Sequence, residues 1–201
     1  MTTKEKIRAA ALQLFNRDGV ENVTTRHIAA QLDMSQGNLH YHYPNKNALI
    51  SILFEAFTHE IAAAARFDPE ALFLPQDVIG SMQDHFAIMA RYRFLFQDQA
   101  VIFRRLPELR TALTQLFAHQ KARFNALIAQ YRDAQILRPD ISPTQSAHLA
   151  DQLLFTIVSW LQTGTFISPE GPEPAYFARF LFRQWLPYLT PSAMREWETL
   201  L

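Results

Sequence analysis

The chain contains no cysteine and only five glycines among its 201 residues. Without thiols there is no disulfide framework, no thiolate zinc site and no cysteine nucleophile. No Gly-rich loop is present to cradle phosphates, and neither His-Glu-x-x-His nor Gly-x-Ser-x-Gly occurs. Carboxylate pairs such as Glu196 and Glu198 sit in ordinary amphipathic surroundings. These absences argue against an enzyme, and no cofactor or metal is expected. No uninterrupted apolar stretch reaches the roughly 20 residues needed to span a bilayer. The opening residues Met1 to Lys6 lead into an amphipathic pattern and not into an apolar signal core. The expectation is a soluble, cytoplasmic protein with no membrane partner.

What the chain does have is apolar bulk. Apolar residues make up 49% and aromatic residues 12%, with 16 phenylalanines. So many rings mean either aromatic packing or an aromatic-walled cavity, and composition does not separate the two. Net charge is zero, but its distribution is uneven. In the first fifty residues Lys4, Lys6, Arg8, Arg17, Arg26 and Lys46 outnumber Glu5, Asp18, Glu21 and Asp33. That mild surplus permits a DNA-binding N-terminus without demonstrating one.

Helical periodicity runs through nearly the whole chain. Ile7, Ala10, Ala11, Leu14 and Phe15 define a first helix, which Gly19 stops. Thr24 or Thr25 caps a second helix with Ile28, Ala29 and Leu32 inward. After the break at Asp33-Met34-Ser35, a short third helix runs from Ser35 or Gln36 to about Tyr41. Pro44-Asn45 ends it, and a long fourth helix follows from Lys46 to Phe67. Further helical stretches span about 76–97, 107–135, 143–166 and 174–189, with a short amphipathic tail over 191–201. Several open on proline, whose missing N–H is harmless in a first helical turn. The fold class expected is all-α, with an N-terminal three-helix DNA-binding domain over residues 1–60 and a larger C-terminal helical bundle over 61–201.

The segment from Thr24 to Lys46 has the layout of a helix-turn-helix. Its second short helix would present Gln36, Asn38, His40 and Tyr41 to a major groove. Gln and Asn each offer a donor and an acceptor to adenine. The pattern Ile7-x-x-Ala-Ala-x-x-Leu14-Phe15-x-x-x-Gly19, Val23-Thr24-Thr25-x-x-Ile28-Ala29 and Ser35-x-Gly37-x-Leu39-x-x-His42-Tyr43-x-x-Lys46-x-x-Leu49 resembles the signature of the TetR family of regulators. The resemblance covers about the first 55 residues. It implies that Thr25 and Arg26 touch the DNA backbone and that Ser35 and His42 meet phosphates. It implies that Gln36, Gly37, Asn38 and Tyr41 face bases, and that Lys46 meets a phosphate with its charge and with the helix N-terminus. Two positions depart from the pattern: Asp33 replaces a usual turn glycine, and His40 stands where Tyr is more usual. Tyr43 reads as a core residue.

The resemblance also implies a homodimer on a pseudo-palindromic double-stranded operator, and a small-molecule effector bound among the middle helices. Phe86, Phe94, Phe96, Phe103, Phe117, Phe124 and Phe155 are the candidate pocket wall, or else simply bundle core. The stretches 143–166 and 174–189 are apolar over much of their circumference and need covering on every side. Leu153, Ile157, Leu161, Phe177, Phe180 and Leu181 are the candidate dimer interface, the alternative being burial within one chain. His40 and His42 point to different helix faces and do not form a metal pair. His148 and Asp151 share a face as a candidate polar pair. The functional expectation is a repressor released by an apolar or amphipathic effector; the alternative is a helical small-molecule-binding protein that binds no operator.

Overall fold

The computed structural model describes residues 1–64, 74–163 and 173–199, which form helices joined by short turns and loops. Among the described residues the only extended pairing is one isolated antiparallel bridge, Leu137 to Leu189. The chain divides into two compact units. Unit 1 comprises residues 1–60 and 91–114, and unit 2 comprises 61–90 and 115–201.

Unit 1 begins with α1, Thr3–Asp18. The Thr2 hydroxyl accepts from the Glu5 amide while the Glu5 carboxylate accepts from the Thr2 amide, so two orphan N–H groups of the first turn are satisfied reciprocally. Gly19, at φ 81°, closes the helix in a conformation only glycine adopts freely. Helix α2, Thr25–Gln31, is capped by Thr24, and α3, Gln36–His42, by Ser35. Between them Asp33 sits at φ 51°, so the turn takes the left-handed conformation that Asp tolerates better than most residues. Helix α4, Lys46–Ala64, starts behind Asn45, whose side chain accepts from the Ala48 amide. Ile7, Leu14 and Phe15 of α1, Ile28 of α2, Leu39 of α3 and Leu49, Leu53 and Phe57 of α4 are buried together in this unit.

The segment 91–106 differs from expectation. Helix α5, Pro75–Arg91, ends well short of Gln97, and two short helices follow, α6 (Phe94–Gln97) and α7 (Gln99–Arg105). Nothing in the local sequence demands this break. Asn16 does: its Oδ1 accepts from the Phe94 amide at 3.0 Å and its Nδ2 donates to the Arg91 carbonyl at 2.7 Å. The bend is thus fixed by a residue more than seventy positions away, and residues 91–114 cluster with the first sixty instead of belonging wholly to the C-terminal part.

Unit 2 contains most of α5, the later turns of α8 (Pro107–Asp133), and α9 (Pro143–Thr163), α10 (Pro174–Arg183) and α11 (Pro191–Glu198). All five of these helices start on proline. Helix α10 is shorter than expected: a 3-10 turn, Leu186–Tyr188, takes over before the bridge at Leu189. Gln135, at φ 56°, turns the chain after α8. The backbone then bonds back, Arg138 N to Tyr188 O at 2.9 Å and Thr190 N to Ile136 O at 2.8 Å. Tyr131 lies edge-on to Trp185 and Trp197 with centroids 6.0 and 5.3 Å away, and Phe182 stacks on Trp197 at 4.7 Å. The parts of the expected helices at 65–67 and 164–166, and residues 200–201 of the tail, lie outside the described residues.

Candidate nucleic-acid interface and internal cavity

Helix α3 is anchored by one residue and otherwise offered to solvent. Leu39 is fully buried, while Gln36, Gly37, Asn38, His40 and Tyr41 are exposed. Tyr41 is the most prominent, 85% exposed, with its ring edge-on to His42 at 5.2 Å. The Ser35 hydroxyl accepts from the Asn38 amide at 3.1 Å, which leaves its proton free to donate outward. Arg26 is exposed at the start of α2 and Thr25 half-exposed. Thr24, not Thr25, is the cap, and its side chain forms a reciprocal pair with His27. Tyr43 is buried, as a core residue should be. A Cβ added at Gly37 would meet nothing nearer than Ser35 Oγ at 4.0 Å, and the backbone there is ordinary helix. The fold therefore does not require glycine at this position.

Lys46 does something the sequence did not show. Its ammonium donates to the Val20 carbonyl at 2.6 Å and to the Val23 carbonyl at 2.8 Å. Burial pulls its pKa down, Arg105 adds repulsion, and Glu21 opposes both. Two of its three N–H donors are thereby used within the protein, a bracing role that the sequence did not show. The same Val20 peptide is held from its other side, because its N–H donates to Asp98 Oδ2 at 2.7 Å. One peptide thus connects the start of α4 to the segment between α6 and α7.

Within unit 2, helices α5, α8, α9 and α10 line a partly open cavity of about 90 Å³. Phe86, Phe117 and Phe124 line it. The other expected wall residues do not. Phe94 and Phe96 belong to the core of unit 1, Phe94 against Phe15 at 5.4 Å and Phe96 edge-on to Phe57 at 5.8 Å. Phe103 is half-buried in that same unit, and Phe155 is 77% exposed on α9. Core and cavity wall share one helical period, so spacing alone does not distinguish them. Polar residues line it too: His85, a candidate pocket contact from the sequence, and Ser81, Gln120 and Arg123, which the sequence did not single out. His85 Nδ1 lies 2.7 Å from the Ser81 carbonyl, so that nitrogen carries the proton, and Nε2 has no hydrogen-bond partner. Burial, with Arg123 as a lesser contributor, lowers the His85 pKa despite the hydrogen bond to Ser81 and the charge of Asp84.

Comparison with known proteins now decides the family. Residues 7–51 match the family model for bacterial regulatory proteins of the tetR family, and residues 56–196 match the model for TetR, bacterial transcriptional repressor. The chain belongs to the TetR family. Among curated TetR relatives, the tetracycline repressor protein class A from transposon 1721 of Escherichia coli is 34% identical over 122 residues, covering 58% of this chain and 54% of the relative. The class G tetracycline repressor protein of Vibrio anguillarum is 40% identical over 57 residues, 28% of this chain and 27% of the relative. The matches thus span at most about half the length of these repressors. A crystal structure of a TetR-family transcriptional regulator from Marinobacter aquaeolei VT8 aligns over 100% of this chain and 97% of that one, with 27% identity and a TM-score of 0.86.

Helices α9 and α10 need one correction within this TetR-family fold. Leu153, Leu161, Phe177 and Leu181 are buried inside their own chain, and Ile157, Phe177 and Leu181 line the cavity. Phe180 is half-buried, with its ring 5.4 Å from Trp160. Leu153, Leu161, Phe177 and Leu181 thus face into their own chain, while Ile157 and Phe180 keep part of their surface exposed. The outward face of the two helices instead carries Phe155 and Tyr176, the latter 52% exposed. An all-round apolar pattern reveals that two sides need covering but not which side faces in. Asp151 pairs with Lys121 and not with His148, which is exposed. Among the described residues no group of side chains is arranged to hold a metal, and no helix is long and apolar enough to cross a membrane.

Proposed function

We propose that this protein is a sequence-specific transcriptional repressor that binds an inverted-repeat operator as a homodimer and is released by a small molecule in the unit 2 cavity. The observation that carries the reading is α3, a helix pinned by Leu39 alone with Gln36, Asn38, His40 and Tyr41 all exposed along it. Gly37 supports it. The folded protein has room for a side chain there, so the reason for glycine lies outside the fold, in close approach to a groove. Thr25, Arg26, Ser35 and His42 flank the helix as phosphate contacts, joined by the remaining donor of Lys46 and the N-terminus of α4. In a dimer, two such helices would enter major grooves about 34–36 Å apart. Phe155 and Tyr176 on the outward face of α9 and α10 support pairing through those helices. Likeness to the tetracycline repressor proteins supports repression as the sign of control.

Release requires that the cavity and the operator favour different arrangements of the dimer. By linkage, operator must then weaken effector binding by the same factor that effector weakens operator binding. The Val20 peptide, held by Lys46 on one side and Asp98 on the other, is the polar connection through which α4 would respond.

The test is selection of bound DNA from a random duplex pool, with binding of the recovered sequences followed against salt. An inverted repeat bound far more tightly than random duplex supports a dimeric reader. Recovery of no motif, with only weak salt-labile binding, would sink the reading and leave a helical small-molecule-binding protein. Gly37→Ala sharpens it. Replacing glycine in a helix with alanine should stabilise α3 by up to about 1 kcal/mol while weakening operator binding; unchanged operator affinity would remove the close approach at this position.

A further inference from the structure

We infer that Arg105, at the far end of α7, joins Lys46 in holding a backbone phosphate of bound DNA, so that the DNA-binding surface reaches beyond residues 1–60. This rests on the reading of α3 as a major-groove helix and adds to it a contact from a later part of the chain.

Short connections bring the two cations together. Helix α7 follows directly on Asp98, whose carboxylate accepts from the Val20 N–H at 2.7 Å. The carbonyl of the same Val20 accepts from the Lys46 ammonium at 2.6 Å. Arg105 closes α7 two turns later, about 10 Å along a helix of that length. Both cations belong to unit 1, and the Arg105 charge acts on Lys46.

The pair is left unbalanced. At Lys46 the repulsion from Arg105 outweighs the attraction of Glu21. Lys46 spends two donors on Val20 and Val23 and keeps one. Arg105 is exposed, and among the described residues its side chain makes no hydrogen bond or ion pair. Glu108, three residues on, is exposed and does not pair with it.

A helix macrodipole favours a cation in its last turn, and Arg104 already supplies one to α7. It gives no reason to bring a second cation toward Lys46. Like charges destabilise each other unless an anion lies between them. Beside a helix seated in a major groove, the anion at hand is a backbone phosphate. The guanidinium fork suits a phosphate's two free oxygens, and the spare Lys46 N–H can share one of them. This contact comes from the segment that Asn16 bends into unit 1, so the same bend that shapes α6 also places a charge for DNA.

The experiment measures binding of the full-length protein to random duplex and to the selected operator at several salt concentrations. Arg105→Gln should flatten the dependence of log affinity on log salt by about one unit for each half-site engaged, on operator and random duplex alike. Arg105→Lys should keep most of the native slope. Arg104→Gln removes the same charge one residue away and should leave the slope close to native. The thermal midpoint of Arg105→Gln, followed by circular dichroism, should not fall, because the substitution relieves repulsion at Lys46; this separates a lost contact from a damaged fold. An unchanged slope in Arg105→Gln, an equal loss in Arg104→Gln, or weaker binding accompanied by a lowered midpoint would each overturn the inference. Its failure is distinct from that of the DNA-reading function. Native protein with no salt-dependent binding to any duplex removes both. Selection of an inverted repeat, with the native slope kept in Arg105→Gln, removes this contact alone. A flattened slope on random duplex upholds the contact even where no motif is recovered.

Discussion

In unit 1, side chains reach across the sequence to hold backbone. Asn16 bonds both the Arg91 carbonyl and the Phe94 amide, Asp98 accepts from Val20 N–H, Lys46 donates to Val20 and Val23, and Arg93 donates to the Asn16 carbonyl at 3.1 Å. In unit 2 the long-range backbone ties gather at one place, residues 136–138 against 188–190, and rings do most of the filling. Buried polar atoms without partners also fall there: His85 Nε2 and the indole N–H groups of Trp160 and Trp185. Hydrogen bonds are directional and fix orientation, whereas apolar contact is tolerant of small rearrangement. A helix that must meet base edges in register needs the first kind of support. A cavity that must admit a guest is served by the second.

All three tryptophans, Trp160, Trp185 and Trp197, lie in unit 2. Their emission reports that unit alone, which makes the comparison measurable. The largest effect expected is from Phe57→Ala. Phe57 is 1% exposed at the centre of unit 1, against Tyr92 at 5.7 Å and Phe96 at 5.8 Å. Deleting such a ring costs about 3–5 kcal/mol. Operator binding and part of the helical circular dichroism should be lost at a lower denaturant concentration than tryptophan emission. A single shared transition in the variant would show that the two units unfold as one body, and the contrast drawn above would be thermodynamically empty.

Next in size is Asp98→Ala, which leaves the Val20 N–H without its charged acceptor and should destabilise unit 1 by about 1–3 kcal/mol. Asp98→Asn keeps an acceptor oxygen and should recover most of that loss. If both variants lost the same amount, packing around Gly19, whose added Cβ would lie 3.5 Å from the Asp98 carboxylate, would matter more than the hydrogen bond. Smaller still is Ser35→Ala, expected to cost about 1 kcal/mol through the lost cap of α3. It should weaken specific and random DNA alike, since its proposed partner there is a phosphate; a selective loss on the operator would move Ser35 into the base-reading set.

The same contrast explains what the sequence disclosed. Caps and turns act locally, so a threonine cap at Thr24 or Thr25, the stop at Gly19 and the left-handed turn at Asp33 were legible from residue type and position, and with them the helix-turn-helix. The split of α5 from α6 was not, because its cause is Asn16, far off in the chain. Nor was the bracing role of Lys46, since a carbonyl acceptor leaves no mark in side-chain sequence. In unit 2 the helices were legible and their facing was not. Phe86 and Phe155 obey the same periodicity, yet one lines a cavity and the other is exposed. Leu153 and Leu161 read as readily as interface as they do as core. The polar residues Ser81, Gln120 and Arg123 gave no signal because their meaning depends on which helices face one another.

The smallest effect at neutral pH, and the one that best isolates unit 2, belongs to His85. Its pKa lies below the ordinary 6.5, chiefly because burial disfavours the charged ring. The unfolded chain therefore takes up a proton at this site at a higher pH than the folded protein does. Above pH 6.5 both states are neutral there and the favourable contribution is fully present. As pH falls from 6.5 through the lowered folded value, the unfolded state is selectively protonated and that contribution is lost. His85→Gln removes this step and leaves the other histidines in place. The two proteins should thus respond to pH in parallel above 6.5 and diverge below it, the native protein losing stability faster. Denaturant midpoints from tryptophan emission, taken every half pH unit, would show the divergence. Parallel curves down to pH 5 would mean that water reaches the ring, and that the polar edge of the cavity is wetter than its lining suggests.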